Sequence, residues 1–231
     1  MTSRLLLFAL PCLLLACARP LTPSETTFAE TLLGADLNTT TVTVTKGALI
    51  GNVRHSRPTR PQVACRERIF PPPKTKTVSV GTAAFVLFNQ IYVAEDVFEP
   101  NFLPGYPEKM SLPHAMLFAH EMIHVWQWQN RRLTGYHPWK AANEHKPGTD
   151  PYLLEFGTTQ PYLDFPFEQQ AAIVEEYVCC AALDPTGSRT SRLREMLGAH
   201  LPVADLDAQI SETKIFLPWK DARTRGICSL R

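Results

Sequence analysis

The sequence predicts a single domain of the α+β class. Residues 39–51 alternate Thr with Val, as a strand with one buried face does, and residues 77–98 are rich in β-branched and aromatic side chains. Residues 112–133 and 166–183 carry the signals of two long helices. A chain of 231 residues is long enough to bury one sizeable core.

The first residues predict an export signal. Arg4 gives a positive start, and the apolar run from Leu5 to Ala16 is too short to span a bilayer comfortably. Its end, "LLAC" at Leu14 to Cys17, resembles the lipobox of bacterial lipoproteins. That resemblance implies a signal peptide over residues 1–16, and Cys17 as an acylated lipid anchor in a membrane. The alternative is an ordinary cleaved signal with an incidental cysteine.

The next segments predict a tether followed by the folded domain. Residues 17–62 combine one strand with polar, proline-rich flanks, so we expect the part near the anchor to behave as a tether. We expect the domain itself over residues 63–231. Within it, "FPPPK" at 70–74 is a stiff break, and residues 77–98 form two strands or one strand with a bend.

The first long helix is expected from 112 to 133. Ser111 suits its N-cap, Pro113 its first turn, and Gly135 its end. Apolar side chains surround it on nearly every side, which is typical of a central, buried helix. His120 and His124 should therefore lie deep in the protein.

A long connection, residues 135–165, leads to the second helix at 166–183. Long connections inside compact domains are often functional. One or two short surface helices are expected in residues 188–213.

Four cysteines follow Cys17, and an exported protein can oxidise them. Cys179 and Cys180 are adjacent and project differently from a helix, so we expect bridges to them from Cys65 and Cys228. The connectivity cannot be read from the sequence.

The chemistry centres on "HEMIH", residues 120–124, an H-E-x-x-H pattern. The spacing of the two histidines places both imidazoles on one helix face, about 5–6 Å apart at Cβ, which suits one metal ion. Glu121 is turned roughly 100° away and can reach a water molecule on that ion without being a ligand. The alternative, two core histidines satisfied by carbonyl groups, is disfavoured because two adjacent buried imidazoles need several partners.

A catalytic zinc site takes three protein ligands. Gln127 and Asn130 stand where a metzincin would have Gly and His, which excludes that class. Glu168, at the start of the second helix, is the expected third ligand, and the helix dipole helps to keep it ionised.

"FAHEMIHVWQ" and "FEQQAAIVEEY" together resemble zinc metallopeptidase domains of bacteria that accompany contractile-injection or secretion-associated proteins. The resemblance covers residues 81–183. It implies a zincin-like fold, in which a small mixed sheet packs on a buried HExxH helix and a second glutamate-bearing helix. It also implies Zn²⁺ held by His120, His124 and Glu168, with Glu121 as the catalytic glutamate. A peptide or protein substrate and a secretion-apparatus partner follow from the same resemblance.

The chain departs from the better-known gluzincins at Ala172, where they carry an acidic residue that supports a zinc-bound histidine. Glu175 and Glu176 are the alternatives for that support, or they belong to a solvated or salt-bridged face. An oxyanion donor should come from the long connection. Its candidates are Tyr152, Tyr162 and His137, and Tyr136 and His145 in the same connection are two more.

The sequence thus predicts a membrane-anchored, zinc-dependent metallopeptidase. The alternative is a catalytically inactive zincin-fold module for binding or assembly in the cell envelope. A formal net charge of +1 gives nucleic-acid binding no support. Ala18 after the anchor cysteine points to the bacterial outer membrane, facing the periplasm.

Overall fold

The computed structural model describes residues 18–47, 54–146, 149–154 and 160–229, and these form a mixed α+β fold with small sheets. Helices α1 to α8 span Pro23–Leu33, Cys65–Arg68, Leu112–Gln129, Arg131–Thr134, Pro138–Ala142, Phe167–Leu183, Ser188–Gly198 and Val203–Ser211. Strands β1 to β8 span Ala18–Pro20, Thr43–Gly47, His55–Pro58, Thr77–Val80, Ala84–Leu87, Gln90–Ala94, Lys109–Ser111 and Lys214–Phe216. The α+β class is confirmed. The signal peptide and Cys17 lie outside the described residues.

The main sheet is mixed and has the strand order β1-β2-β6-β5. β2 runs parallel to β6, whereas β1 and β5 are antiparallel to their neighbours. Val44, from the Thr/Val alternation of β2, is buried and pairs in register with the buried Ile91 on β6. β3 pairs with β4 and β7 pairs with β8 in two small ribbons. Residues 77–98, expected to give one bent strand or two, therefore give β4, β5 and β6.

The region expected to be a tether instead contributes to the core over the part that the structure describes. α1 begins with a capping box, in which the Thr22 hydroxyl accepts from the Glu25 N–H and the Glu25 carboxylate accepts from the Thr22 N–H. Phe28 and Leu32 on this helix are fully buried. The apolar face is short and set among threonines, which is why the sequence pattern did not reveal it. Residues 18–47 are thus an integral part of the fold.

α3 is the central helix, as expected. It ends at Gln129 rather than at 133, because Asn130 leaves helical geometry and a separate turn, α4, follows it. Gly135 then closes that turn in the left-handed conformation, with φ of 67°. Residues 112–127 are buried at most positions, including both histidines of the motif.

α6 packs along α3 and is fixed by two disulfides. Cys65 on α2 is bonded to Cys179, and Cys180 is bonded to Cys228 in the C-terminal segment. The expected bridges to the adjacent pair are confirmed, and the structure supplies their connectivity. Within the described ranges no helix is both long and apolar enough to cross a membrane.

Candidate metal centre

Three side chains from two helices converge inside the fold. His120 and His124 project from one face of α3, and Glu168 comes from the first turn of α6. The Glu168 Oε2 atom lies 3.4 Å from His120 Nε2 and 3.3 Å from His124 Nε2. Their side chains are at most 8% exposed. This buried group could bind a metal ion.

The distances between the donor atoms are compatible with a shared metal ion. Ligand atoms about 2.0–2.1 Å from a tetrahedral zinc ion lie roughly 3.3–3.4 Å from each other, because the edge of a tetrahedron is about 1.6 times its centre-to-corner distance. The separations of 3.3 and 3.4 Å from Glu168 Oε2 to the two histidines agree with that geometry. The donor set, two imidazoles and one carboxylate, is also that of a catalytic zinc site with one open position.

A chain of amides fixes the proton on His124. Backbone carbonyls can only accept, so the Gln170 amide nitrogen must donate to the Phe165 carbonyl at 2.8 Å, and the Gln127 amide nitrogen to the Phe167 carbonyl at 3.2 Å. Gln127 also donates to Gln170 Oε1 at 2.9 Å, which turns its own carbonyl oxygen towards His124 Nδ1, again at 2.9 Å. His124 therefore carries its proton on Nδ1, and its Nε2 lone pair faces Glu168 and the metal position.

Glu175 faces the other histidine. Its Oε2 atom lies 3.4 Å from His120 Nδ1 and accepts a hydrogen bond of 2.9 Å from Arg66. Burial raises the pKa of Glu175, but Arg66 and His120 outweigh it and lower the pKa to about 2. The sequence offered Glu176 for the same role. Its carboxylate instead accepts from the backbone N–H groups of Cys65 and Arg66, at 2.9 and 3.3 Å.

Glu121 is buried beside this group and has an unused oxygen. Its Oε2 atom has no hydrogen-bond partner in the part of the chain that the structure describes. Burial raises the pKa of Glu121, and the charge of Glu168 adds to that effect, while His120 and His124 oppose it. A buried carboxylate oxygen without a partner is costly, so Glu121 Oε2 could accept a hydrogen bond from a molecule bound at the site.

The long connection holds Glu168 in place at the start of α6. Both carboxylate oxygens of Glu144 accept from the backbone N–H groups of Phe167 and Glu168, at 2.9 Å each. His145 Nε2 lies 3.0 Å from Glu168 Oε1, the oxygen that faces away from the other histidines. Burial raises the pKa of Glu168, but the surrounding histidines, His124 first, hold it well below its usual range. Glu168 is therefore both oriented and ionised.

The candidate oxyanion donors lie in different places. The Tyr152 ring packs 5.5 Å from the His120 ring and 5.6 Å from that of His145, and burial raises its pKa, which keeps the hydroxyl protonated. The hydroxyl of Tyr162 donates to the Gln170 carbonyl from inside the core. His137 caps α5 by accepting from the Trp139 N–H. Tyr162 and His137 are therefore engaged elsewhere, and Tyr152 stays as the candidate.

Tyr136 also borders the site. Its ring stacks 6.0 Å from the ring of His124 and is buried. Tyr136 therefore lies against His124, as Tyr152 lies against His120.

Sequence reasoning did not assign roles to Arg66, Gln127 or Glu144. Gln127 carried a usable signal, because it lies three residues after His124 and so on the same helix face. Arg66 and Glu144 carried none, since their partners are distant in the chain.

No protein-family model matches the chain, and no curated protein matches it in sequence. Among solved structures, the effector domain of Pseudomonas aeruginosa VgrG2b is similar, with a TM-score of 0.49 and 20% identity. The match covers 79% of this chain and 83% of that one. Similarity at this level supports no conclusion about activity.

Proposed function

We propose that this protein is a zinc-dependent metallopeptidase with a zincin-like arrangement of helices. The observation that carries the proposal is the buried convergence of His120, His124 and Glu168, with the unpaired oxygen of Glu121 beside them. The separations of the donor atoms agree with those between ligands of one tetrahedral zinc ion, which supports the proposal.

His120, His124 and Glu168 would hold the ion, and each has a support that fixes its donor atom. When bound, zinc supplies a Lewis acid that polarises a substrate carbonyl and lowers the pKa of a water molecule. Glu121 would act as the general base, taking a proton from that water and passing it to the leaving amine. The hydroxyl of Tyr152, whose ring packs beside His120, would donate to the oxygen of the carbonyl under attack.

β5 offers a docking edge for an extended peptide. It is one of the two outer strands of the main sheet, and its first residue, Ala84, lines the same small cavity as Glu121. A peptide strand that pairs with this edge would run past the general base. The substrate class that fits is therefore an unfolded or extended segment of a protein.

The proposal extends to location and partners. Cys17 would carry the lipid that attaches the protein to the envelope, with the domain facing the periplasm. A component of a secretion apparatus is the proposed partner, on the resemblance of the motifs alone.

The test compares the native protein from Ala18 onwards with Glu121→Gln, which keeps size and shape but cannot accept a proton. We expect about one zinc ion per chain in both proteins, and cleavage of an unfolded protein mixture only by the native one, read by mass spectrometry of new termini. Stoichiometric zinc without cleavage in either protein would favour an inactive zincin-fold binding module. If the folded native protein bound no zinc, the proposed metal centre would be refuted.

A further inference from the structure

One guanidinium reaches two parts of the metal centre at once. The side chain of Arg66 is 4% exposed, and its Nη1 donates to Glu175 Oε2 at 2.9 Å. The same oxygen faces His120 Nδ1. The other terminal nitrogen of Arg66 donates to the backbone carbonyl of Tyr152, whose ring packs on His120. Arg66 therefore contacts both Glu175 and Tyr152, the two residues that lie against His120.

Arg66 lies on α2, and contacts of α2 with α6 hold it in position. Cys65 is bonded to Cys179, and Glu176 accepts from the backbone N–H groups of Cys65 and Arg66. α6 carries both Glu168, the proposed metal ligand, and Glu175, which faces His120. The Cys65–Cys179 disulfide therefore fixes α2 to the helix that provides both carboxylates. The second disulfide, Cys180–Cys228, joins α6 to the C-terminal segment, which meets α2 through the hydrogen bond from Arg68 to the Ile227 carbonyl at 2.8 Å but is not bonded to Cys65.

We propose that Arg66 is a positioning residue for the metal centre, and that the Cys65–Cys179 disulfide, unlike its sequence neighbour, keeps it in place. Glu175 is partly accessible, with 20% of its side chain exposed, so its carboxylate is free to rotate towards water unless Arg66 holds it. Held by Arg66, Oε2 accepts the Nδ1 proton of His120 and leaves the Nε2 lone pair for the ion. This inference rests on the metal centre of the proposed function.

The two adjacent disulfides provide a matched pair of variants. We would measure zinc affinity by competition with a chromophoric chelator for native protein, Arg66→Met, Cys65→Ser/Cys179→Ser and Cys180→Ser/Cys228→Ser. The first two variants should bind zinc about 10–100-fold more weakly, as loss of an orienting partner usually causes, and the third within about three-fold of native. Combining Arg66→Met with Cys65→Ser/Cys179→Ser should weaken binding no further, because both changes remove the same support.

Equal losses in the two disulfide variants, or unchanged affinity in Arg66→Met, would overturn the inference while leaving the metal centre intact. Arg66→Lys guards against a folding defect, since it keeps the charge but cannot span both acceptors, and it should also bind more weakly than native.

Imidazole ¹H–¹⁵N spectra of the metal-free protein give a readout that does not depend on zinc. We expect the Nδ1–H proton of His120 to give the same signal in native protein and in Cys180→Ser/Cys228→Ser, and a shifted or lost signal in Arg66→Met, where Glu175 is no longer held to accept it. If native protein bound no zinc, the proposed function would fail, and an identical His120 spectrum in native and Arg66→Met would overturn this inference separately.

Discussion

Replacing Gln127 by Leu tests whether the amide chain orients His124. The side chain is fully buried and makes three hydrogen bonds, at 2.9 Å to His124, 3.2 Å to the Phe167 carbonyl and 2.9 Å to Gln170. Leu has a similar volume but leaves His124 and Gln170 without this partner, whereas the Phe167 carbonyl still accepts a helical N–H within α6. Each buried group left unsatisfied costs about 1–3 kcal/mol, so the metal-free variant should lose roughly 2 kcal/mol or more of its free energy of unfolding.

Zinc binding should fall as well, because His124 is no longer held with its proton on Nδ1. Loss of an orienting partner typically lowers metal affinity by about 10–100-fold. The assays are urea unfolding of the metal-free protein and zinc competition with a chelator. Gln127→Glu keeps an acceptor for His124 but loses the two donors, so it should recover part of the zinc affinity without recovering the stability.

Gln129→Leu is the matched control on the same helix. Gln129 also makes hydrogen bonds, to Asn38 and Asn89, but on a partly exposed surface away from the metal centre. It should leave zinc affinity unchanged. If Gln127→Leu bound zinc as tightly as this control, the amide chain would have no part in orienting His124.

Three further predictions concern the elements around the site. Glu144→Ala removes the carboxylate that accepts from two N–H groups in the first turn of α6, and should lower the free energy of unfolding by about 1 kcal/mol, measured by urea denaturation. Asp150→Asn weakens the paired contact with Arg60, at 2.6 and 2.8 Å, and should cost about 1.5–3 kcal/mol near neutral pH. Burial raises the pKa of Asp150, but Arg60 more than offsets it, so the folded-state pKa lies below the unfolded value of about 3.9 and the contribution disappears as the pH falls through the folded pKa. Native and variant should then converge in acid, and a stability difference that persisted there would contradict the assignment. Cys180→Ser/Cys228→Ser opens a loop with a sequence separation of 48 and should cost about 4 kcal/mol in the same assay, whereas a negligible loss would show that the tail is held by its other contacts.

The sequence was sufficient for the two main helices and for the residues that converge between them. Apolar residues surround the segments that became α3 and α6, and the spacing of His120 and His124 places them on one face whatever the rest of the fold does. Glu168 could be named because it begins the next strong helix. Such local patterns do not depend on tertiary context.

The supports of the site could not be predicted, because they depend on contacts between distant parts of the chain. Arg66 lies 109 residues from Glu175, and nothing in its neighbourhood indicates a buried position. Glu144 caps a helix that begins 23 residues later, in a connection with no regular pattern. α1 was missed for a different reason, since its short apolar face hides among threonines.

The central claim is that His120, His124 and Glu168 hold one divalent ion. Anomalous X-ray diffraction at the zinc absorption edge, from crystals of protein grown with zinc, tests it most directly. We predict one strong peak about 2 Å from Nε2 of each histidine and from a carboxylate oxygen of Glu168. A zinc peak bound elsewhere with these three side chains unliganded, or none despite added zinc, would contradict it.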